Sequence, residues 1–360
     1  MHDRELFEKA FSPLHASPDT LTEVRKTMRN EKKTRRALGK SAVVAIAAAL
    51  TLTIAVAGGI VTLIRADVSP ADKVDDTTHH AFTDDLDATT PTVDDGKGNA
   101  VSVPDMERIP GDVATTQRLV GKYLSKLDAE MTVEGNTIRL GTLLIDESGS
   151  GMLTYSVENP SGVGYTDVGY GEGIDLPLQP TLHFRSPDEG NALFAKCYVD
   201  KETSTDTCLN VVLYFAAGTS FRQGDLLYVT MQDELGQPYS IAVQPRTYVP
   251  VATLTSGSET LTLSPLGMSI RNAHPDREPL VDELTLRYQD GSEFTVESSS
   301  RSLMNWVVGC MRGSDDVPFA DNTYVFDRLV DVDAVSSVTL EGHQHTDGAA
   351  DDTFTLTYQP

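Results

Sequence analysis

Cys197 and Cys208 bracket the stretch "CYVDKETSTDTC", whose polar centre reads as a turn between two strands. A hairpin centred near Glu202 would set the two sulfurs opposite each other on one face, close enough for a disulfide in an oxidising compartment. Such a loop would stabilise the fold by about 3 kcal/mol if unstrained. Two free thiols are the alternative. Cys310, in "WVVGCMRG", has no obvious mate and reads as a core residue. His343 and His345 form an H-x-H in "EGHQHTDGAADD", beside Asp347, Asp351 and Asp352. A divalent cation could use such donors, but a polar loop between two terminal strands accounts for them equally, and no metal is expected. The glycines of "SGVGYTDVGYGEG" lack the Lys-Ser or Lys-Thr of a phosphate loop. Neither a nucleophile elbow nor an H-E-x-x-H helix nor a calcium loop occurs, and the many carboxylates single out no acid/base pair. The expectation is a protein that is not an enzyme and carries no cofactor.

What could position these residues depends on an uncharged run over residues 41–64, "SAVVAIAAALTLTIAVAGGIVTLI". As a helix it would reach about 36 Å, enough to cross a hydrocarbon core of about 30 Å. Eleven Val, Ile and Leu residues favour insertion and no charge opposes it. A cleaved signal would have a shorter apolar region nearer the N-terminus, and a core helix would need a polar face. A retained transmembrane helix is therefore expected, with the lipid bilayer as a partner.

Charge sets its orientation. Residues 1–40 hold ten Lys and Arg against six Asp and Glu, whereas residues 41–360 hold nineteen against forty-seven, giving net charges of +4 and −28. Basic residues immediately before the span keep the N-terminus in the cytoplasm and place the rest outside. So acidic a body excludes nucleic acid as a partner.

The basic segment, residues 1–40, shows two short amphipathic helices, the second opened by Ser17-Pro18-Asp19. Phe7, Phe11, Leu14, Leu21 and Val24 cannot be buried by so short a segment alone, so they predict a docking face for a partner. A disordered basic tail against the bilayer surface is the alternative. Residues 65–108, rich in Asp and Thr, read as an acidic, disordered spacer. Leu119, Tyr123 and Leu127, four apart, predict a helix from about Asp112 to Ala129. Thereafter the periodicity is two. Seven candidate strands end near residue 248, "VPVATLTSGS" marks a boundary, and a second series follows, with "LRYQDGSEFTV" as a hairpin turning at Asp290-Gly291. The expected architecture is mainly β: a helix plus β-sandwich domain over 109–250 and a second β-sandwich over 251–360, both Ig-like and extracytoplasmic.

In "FEKAFSPLHASPDTLTEVRKTM", "NTIRLGTLLIDESGSGMLTYSVENP", "LSPLGMSI", "LRYQDGSEFTV" and "FDRLVDVDAVSSVTLEG" the chain resembles membrane-anchored Firmicute-type proteins carrying the domain of unknown function numbered 4179. These are often described as sigma-factor regulators. The resemblance implies an anti-sigma-like protein whose residues 1–40 bind a sigma factor while the outer domains sense an unknown extracytoplasmic ligand. It transfers architecture and no site residues. Residues 1–40 contain no cysteine, so the zinc-dependent anti-sigma subtype is excluded. A cell-surface binding or adhesion module, with a purely topogenic N-terminus, is the alternative.

Overall fold

A computed structural model of the chain describes residues 51–56, 59–82, 92–94, 100–102, 111–164, 166–167, 174–175, 178–185, 193–217, 221–271, 279–301, 303–314, 317–344 and 352–360. All belong to one compact unit, Ala49–Pro360. Its architecture is mainly β and sandwich-like. In chain order the first half gives β1 (Thr51–Val56), β2 (Gly59–Arg65), β3 (Asp67–Pro70), helix α1 (Asp76–His80), β4 (Thr92–Asp94), β5 (Ala100–Ser102), helix α2 (Val113–Val120), β6 (Ser125–Val133), β7 (Asn136–Ile145) and β8 (Gly151–Glu158). Then come β9 (Thr166–Asp167), β10 (Ile174–Asp175), β11 (Thr181–Phe184), β12 (Phe194–Val199), β13 (Cys208–Ala216), β14 (Leu227–Gln232) and β15 (Pro238–Val243). Two sheets result, ordered β1-β2-β15-β14-β11 and β12-β13-β8-β7-β6-β3. Leu182, Leu227, Val229 and Ile241 of the one meet Ile138, Leu140, Leu153, Tyr155 and Leu213 of the other in a single core.

The second half supplies β16 (Ala252–Ser256), β17 (Glu259–Ser264), β18 (Gly267–Arg271), β19 (Pro279–Tyr288), β20 (Glu293–Ser298), β21 (Leu303–Met304), β22 (Trp306–Ser314), β23 (Val317–Phe326), β24 (Val335–Gln344) and β25 (Asp352–Tyr358). Its sheets are β16-β17-β18-β23-β22 and β21-β20-β19-β24-β25. Leu261, Leu263 and Phe326 face Leu284, Leu286, Phe294 and Val338 between them. The β19–β20 hairpin turns as expected at Asp290-Gly291, where Gly291 takes φ 86°, a conformation that Cβ-bearing residues resist. Backbone bonds between Thr255 and Gln359, 2.8 and 3.0 Å, join the β16 and β25 edges.

A third core joins the halves. Leu144, Met152, Val212, Tyr214 and Ala216, on the far side of the first half's six-stranded sheet, pack with Val307, Val308, Cys310 and Val325 of β22 and β23. That sheet is thus covered on both faces, and the near-continuous apolar run "VVLYFAA" of β13 is what such a strand requires.

Two expectations need correction, the helix to Ala129 and the disordered stretch from residue 65; of the apolar run the structure describes only the later part. That part, residues 51–56 and 59–65, is strand here, and β2 lies parallel to β15 with Ile64 opposite Ile241. Thr51, Thr53, Ile54, Val56, Ile60, Val61, Thr62 and Ile64 are β-branched, which favours extended backbone wherever a sheet edge can cover the run. Residues 41–50 lie outside the described residues. Among the described residues no helix is long and apolar enough to cross a membrane.

The helix expected to reach Ala129 stops at Val120, followed by a 3-10 turn over Gly121–Tyr123. Asp112 caps its start, accepting from the Ala114 and Thr115 amides at 3.3 and 2.8 Å. From Ser125 to Val133 buried and exposed residues alternate without a break, so "SKLDAEMTV" has strand periodicity despite the helical spacing of Leu119, Tyr123 and Leu127.

The supposed spacer is ordered over 65–82. Val68 pairs opposite Leu127, and Val74, Ala81 and Phe82 are buried. Asp75 accepts from Thr78 N at 2.7 Å and the Thr142 hydroxyl at 2.6 Å, and His80 Nδ1 lies 3.1 Å from Asp200. Few apolar residues suffice because Ala66, Val68, Val74, Ala81 and Phe82 are all buried.

Candidate functional site

At one end of the second half a cleft of ≈ 450 Å³ opens between its two sheets. The strands that form it are the start of β19, the ends of β20 and β24, the first half of β22 and the second half of β23. A register shift between Val281 and Glu283 sets Asp282 out of the β19–β24 ladder. Such a bulge re-aims a side chain, and Asp282 Oδ2 meets His343 Nδ1 at 3.0 Å. Glu297, near the end of β20, is half-buried. Burial pushes its carboxyl above the ordinary range, while the polar groups of the neighbouring Trp306 and Tyr324 side chains oppose the shift. Burial and the neighbouring Glu297 carboxylate push the Tyr324 phenol well up, so it stays a neutral donor.

Trp306 is the chain's only tryptophan. It follows Asn305, which carries the chain from one sheet to the other: Asn305 N donates to the Val296 carbonyl at 2.8 Å and Asn305 Nδ2 to that of Thr295 at 2.7 Å. The Trp306 and Tyr324 rings stand 6.1 Å apart at 64°. A Cβ on Gly309 would come within 2.9 Å of Trp306 Cζ3, so the indole rests on bare backbone. Buried Cys310 and Asn322 complete one wall, Leu280, Val281 and Ser299 the other. Carboxylates, an imidazole and two aromatic rings in a concave site are equipped for holding a ligand.

The residues singled out from sequence fare unevenly. His343 reaches the cleft, where it pairs with Asp282, and His345 lies outside the described residues. No group of three or more His, Cys, Asp or Glu able to hold a metal ion occurs among the described residues. Phe7, Phe11, Leu14, Leu21 and Val24 also lie outside them.

The Cys197–Cys208 pairing needs correction. Val199 pairs with Val211, so the β12–β13 connection centres at Thr205, not Glu202, and Cys197 faces Leu213. Cys208 is five positions further along β13, about 17 Å away at strand rise, well beyond disulfide reach. Both thiols are free. Asp200 shifts the turn: its carboxylate accepts from the amides of Glu202 and Thr203 and, at 2.5 Å, from the Thr203 hydroxyl, building a longer loop than the sequence suggests. Burial pushes the Cys197 thiol up to about 12, leaving it inert beside the Tyr155 hydroxyl, 3.7 Å away.

Asp282, Glu297, Trp306, Asn322 and Tyr324 were not anticipated. The lone tryptophan, one residue from an Asn between two apolar runs, was the available signal.

No protein-family profile matches the chain, and no curated relative does. Among solved structures, a YadV chaperone is similar at 10% identity over 59% of this chain and 95% of its own, with a TM-score of 0.14. So distant a likeness carries no argument.

Proposed function

We propose that the chain is a membrane-anchored regulatory protein of the cell envelope, anti-sigma-like, with two Ig-like β-sandwiches outside that bind an envelope ligand. The cleft at Asp282, Glu297 and Trp306 is the observation that carries the ligand-binding half of this reading. The topology rests on the charge division, +4 before residue 41 and −28 after. In a bilayer the run 41–64 forms a helix, because lipid offers the backbone no partners other than its own. The sheet edge at β15 and the bilayer are then competing covers for the same apolar segment. Phe7, Phe11, Leu14, Leu21 and Val24 hold a sigma factor by helix-in-groove contacts.

The test joins topology to capture. A reporter fused at the C-terminus should be active only outside the cytoplasm, and residues 1–40 should co-purify with a sigma factor encoded beside the gene. A reporter active in the cytosol removes the anchor; absence of capture by the wild-type segment removes the regulatory role. A second reading, a surface binding or adhesion module, is favoured by the same cleft and needs no relay. A phenotype that survives replacing residues 1–38 by an unrelated basic sequence would select it.

A further inference from the structure

Three properties of the cleft converge. It is acidic: Asp282 and Glu297 line it, and neither Lys nor Arg is among its described lining residues. It is aromatic, since Trp306 and Tyr324 both line it, their rings 6.1 Å apart and steeply inclined. Glu297 is also half-buried beside the neutral Trp306 and Tyr324 side chains that line the cleft with it, and no ion pair involves it among the described residues. A carboxylate drawn into a protein without a counter-charge is costly, and aromatic faces attract cations. We infer that the cleft binds a small organic cation, a protonated primary amine, with its ammonium group between the Glu297 carboxylate and the Trp306 ring. The Asp282–His343 pair at the other side and the Asn322 amide serve the polar remainder of the ligand.

Competing ligands fit less well. A neutral sugar could stack on Trp306, but it would leave Glu297 without a counter-charge. A metal ion would need a donor cluster absent among the described residues. An anion would meet two carboxylates. The amine could be carried on an aliphatic chain, as in a lysine side chain, or on a sugar ring, and the chemistry at Glu297 is the same.

The inference rests on reading the cleft as a ligand site and is independent of the anchor and of the sigma factor. Trp306, being the sole tryptophan, reports directly from the site. Purified full-length chain in detergent is titrated with 1,5-diaminopentane, D-glucosamine and N-acetyl-D-glucosamine, following Trp306 emission and, independently, heat of binding. Saturable binding of either amine, weakened about ten-fold or more by Glu297→Gln or Asp282→Asn in a variant of unchanged circular dichroism, is the expected result. Preference between the two amines identifies the carrier. Equal binding by the acetylated, neutral sugar would overturn the amine assignment while leaving the cleft as a ligand site. No binding by any probe at millimolar concentration would overturn both.

Discussion

Asp146 brings a carboxylate into a place that water does not reach, 1% exposed, and four donors surround it. Its Oδ1 accepts from Ser148 N at 2.9 Å, Ser148 Oγ at 2.6 Å and Ser150 N at 2.9 Å, and its Oδ2 from Ser264 Oγ at 2.7 Å. Burial raises its pKa and these bonds pull it back. Ser264 belongs to β17, so one side chain ties a turn of the first half to a strand of the second. Asp146→Ala should cost about 2–4 kcal/mol in urea unfolding, since it strands buried donors. Asp146→Asn, which keeps the shape and can donate to Ser264, should lose far less. Glu297 yields a prediction of opposite character. Its folded pKa is raised, so the folded state favours the protonated form. Its contribution to stability is fully present below the unfolded value and fades as pH rises past 4.5 toward the folded value. Urea midpoints of wild type, compared with Glu297→Gln over that range, should converge in acid and separate above it, wild type being the less stable.

At the level of elements, alternation proved a better guide than spacing. β7, β8, β13, β19, β20 and β24 were legible because their apolar residues recur at every second position or in unbroken runs. β6 was not, because Leu119, Tyr123 and Leu127 also satisfy a period near four and a capped helix precedes it. The two periods make different demands on Leu127 and Asp128. Leu127→Glu should destabilise by about 2–4 kcal/mol, whereas Asp128→Leu, on the exposed face, should change the melting midpoint little. The cleft was hidden for another reason. Its parts come from β19, β20, β22, β23 and β24, and only strand order brings Asp282, Glu297 and Trp306 together; period two says which face a residue takes, not which strands are neighbours. The cysteine pair failed on register, since moving the centre of a loop by two and a half residues displaces every opposite pair by five.

On the scale of the whole molecule, charge and packing pull in different directions. An acidic body of net charge −28 repels itself, which favours solubility and discourages compactness. The core shared by Leu144, Met152, Val212, Tyr214, Val307, Val308 and Val325 counters that repulsion by making the two halves interdependent. Thermal unfolding followed by far-ultraviolet circular dichroism and by Trp306 emission should therefore give coincident transitions; separate midpoints would mean that the halves melt independently.

A sheet clad on both sides has little freedom to bend. Its packing against β22 and β23 ties the wall of the cleft to the first half. Occupancy would be felt by the two halves together, through the core they share.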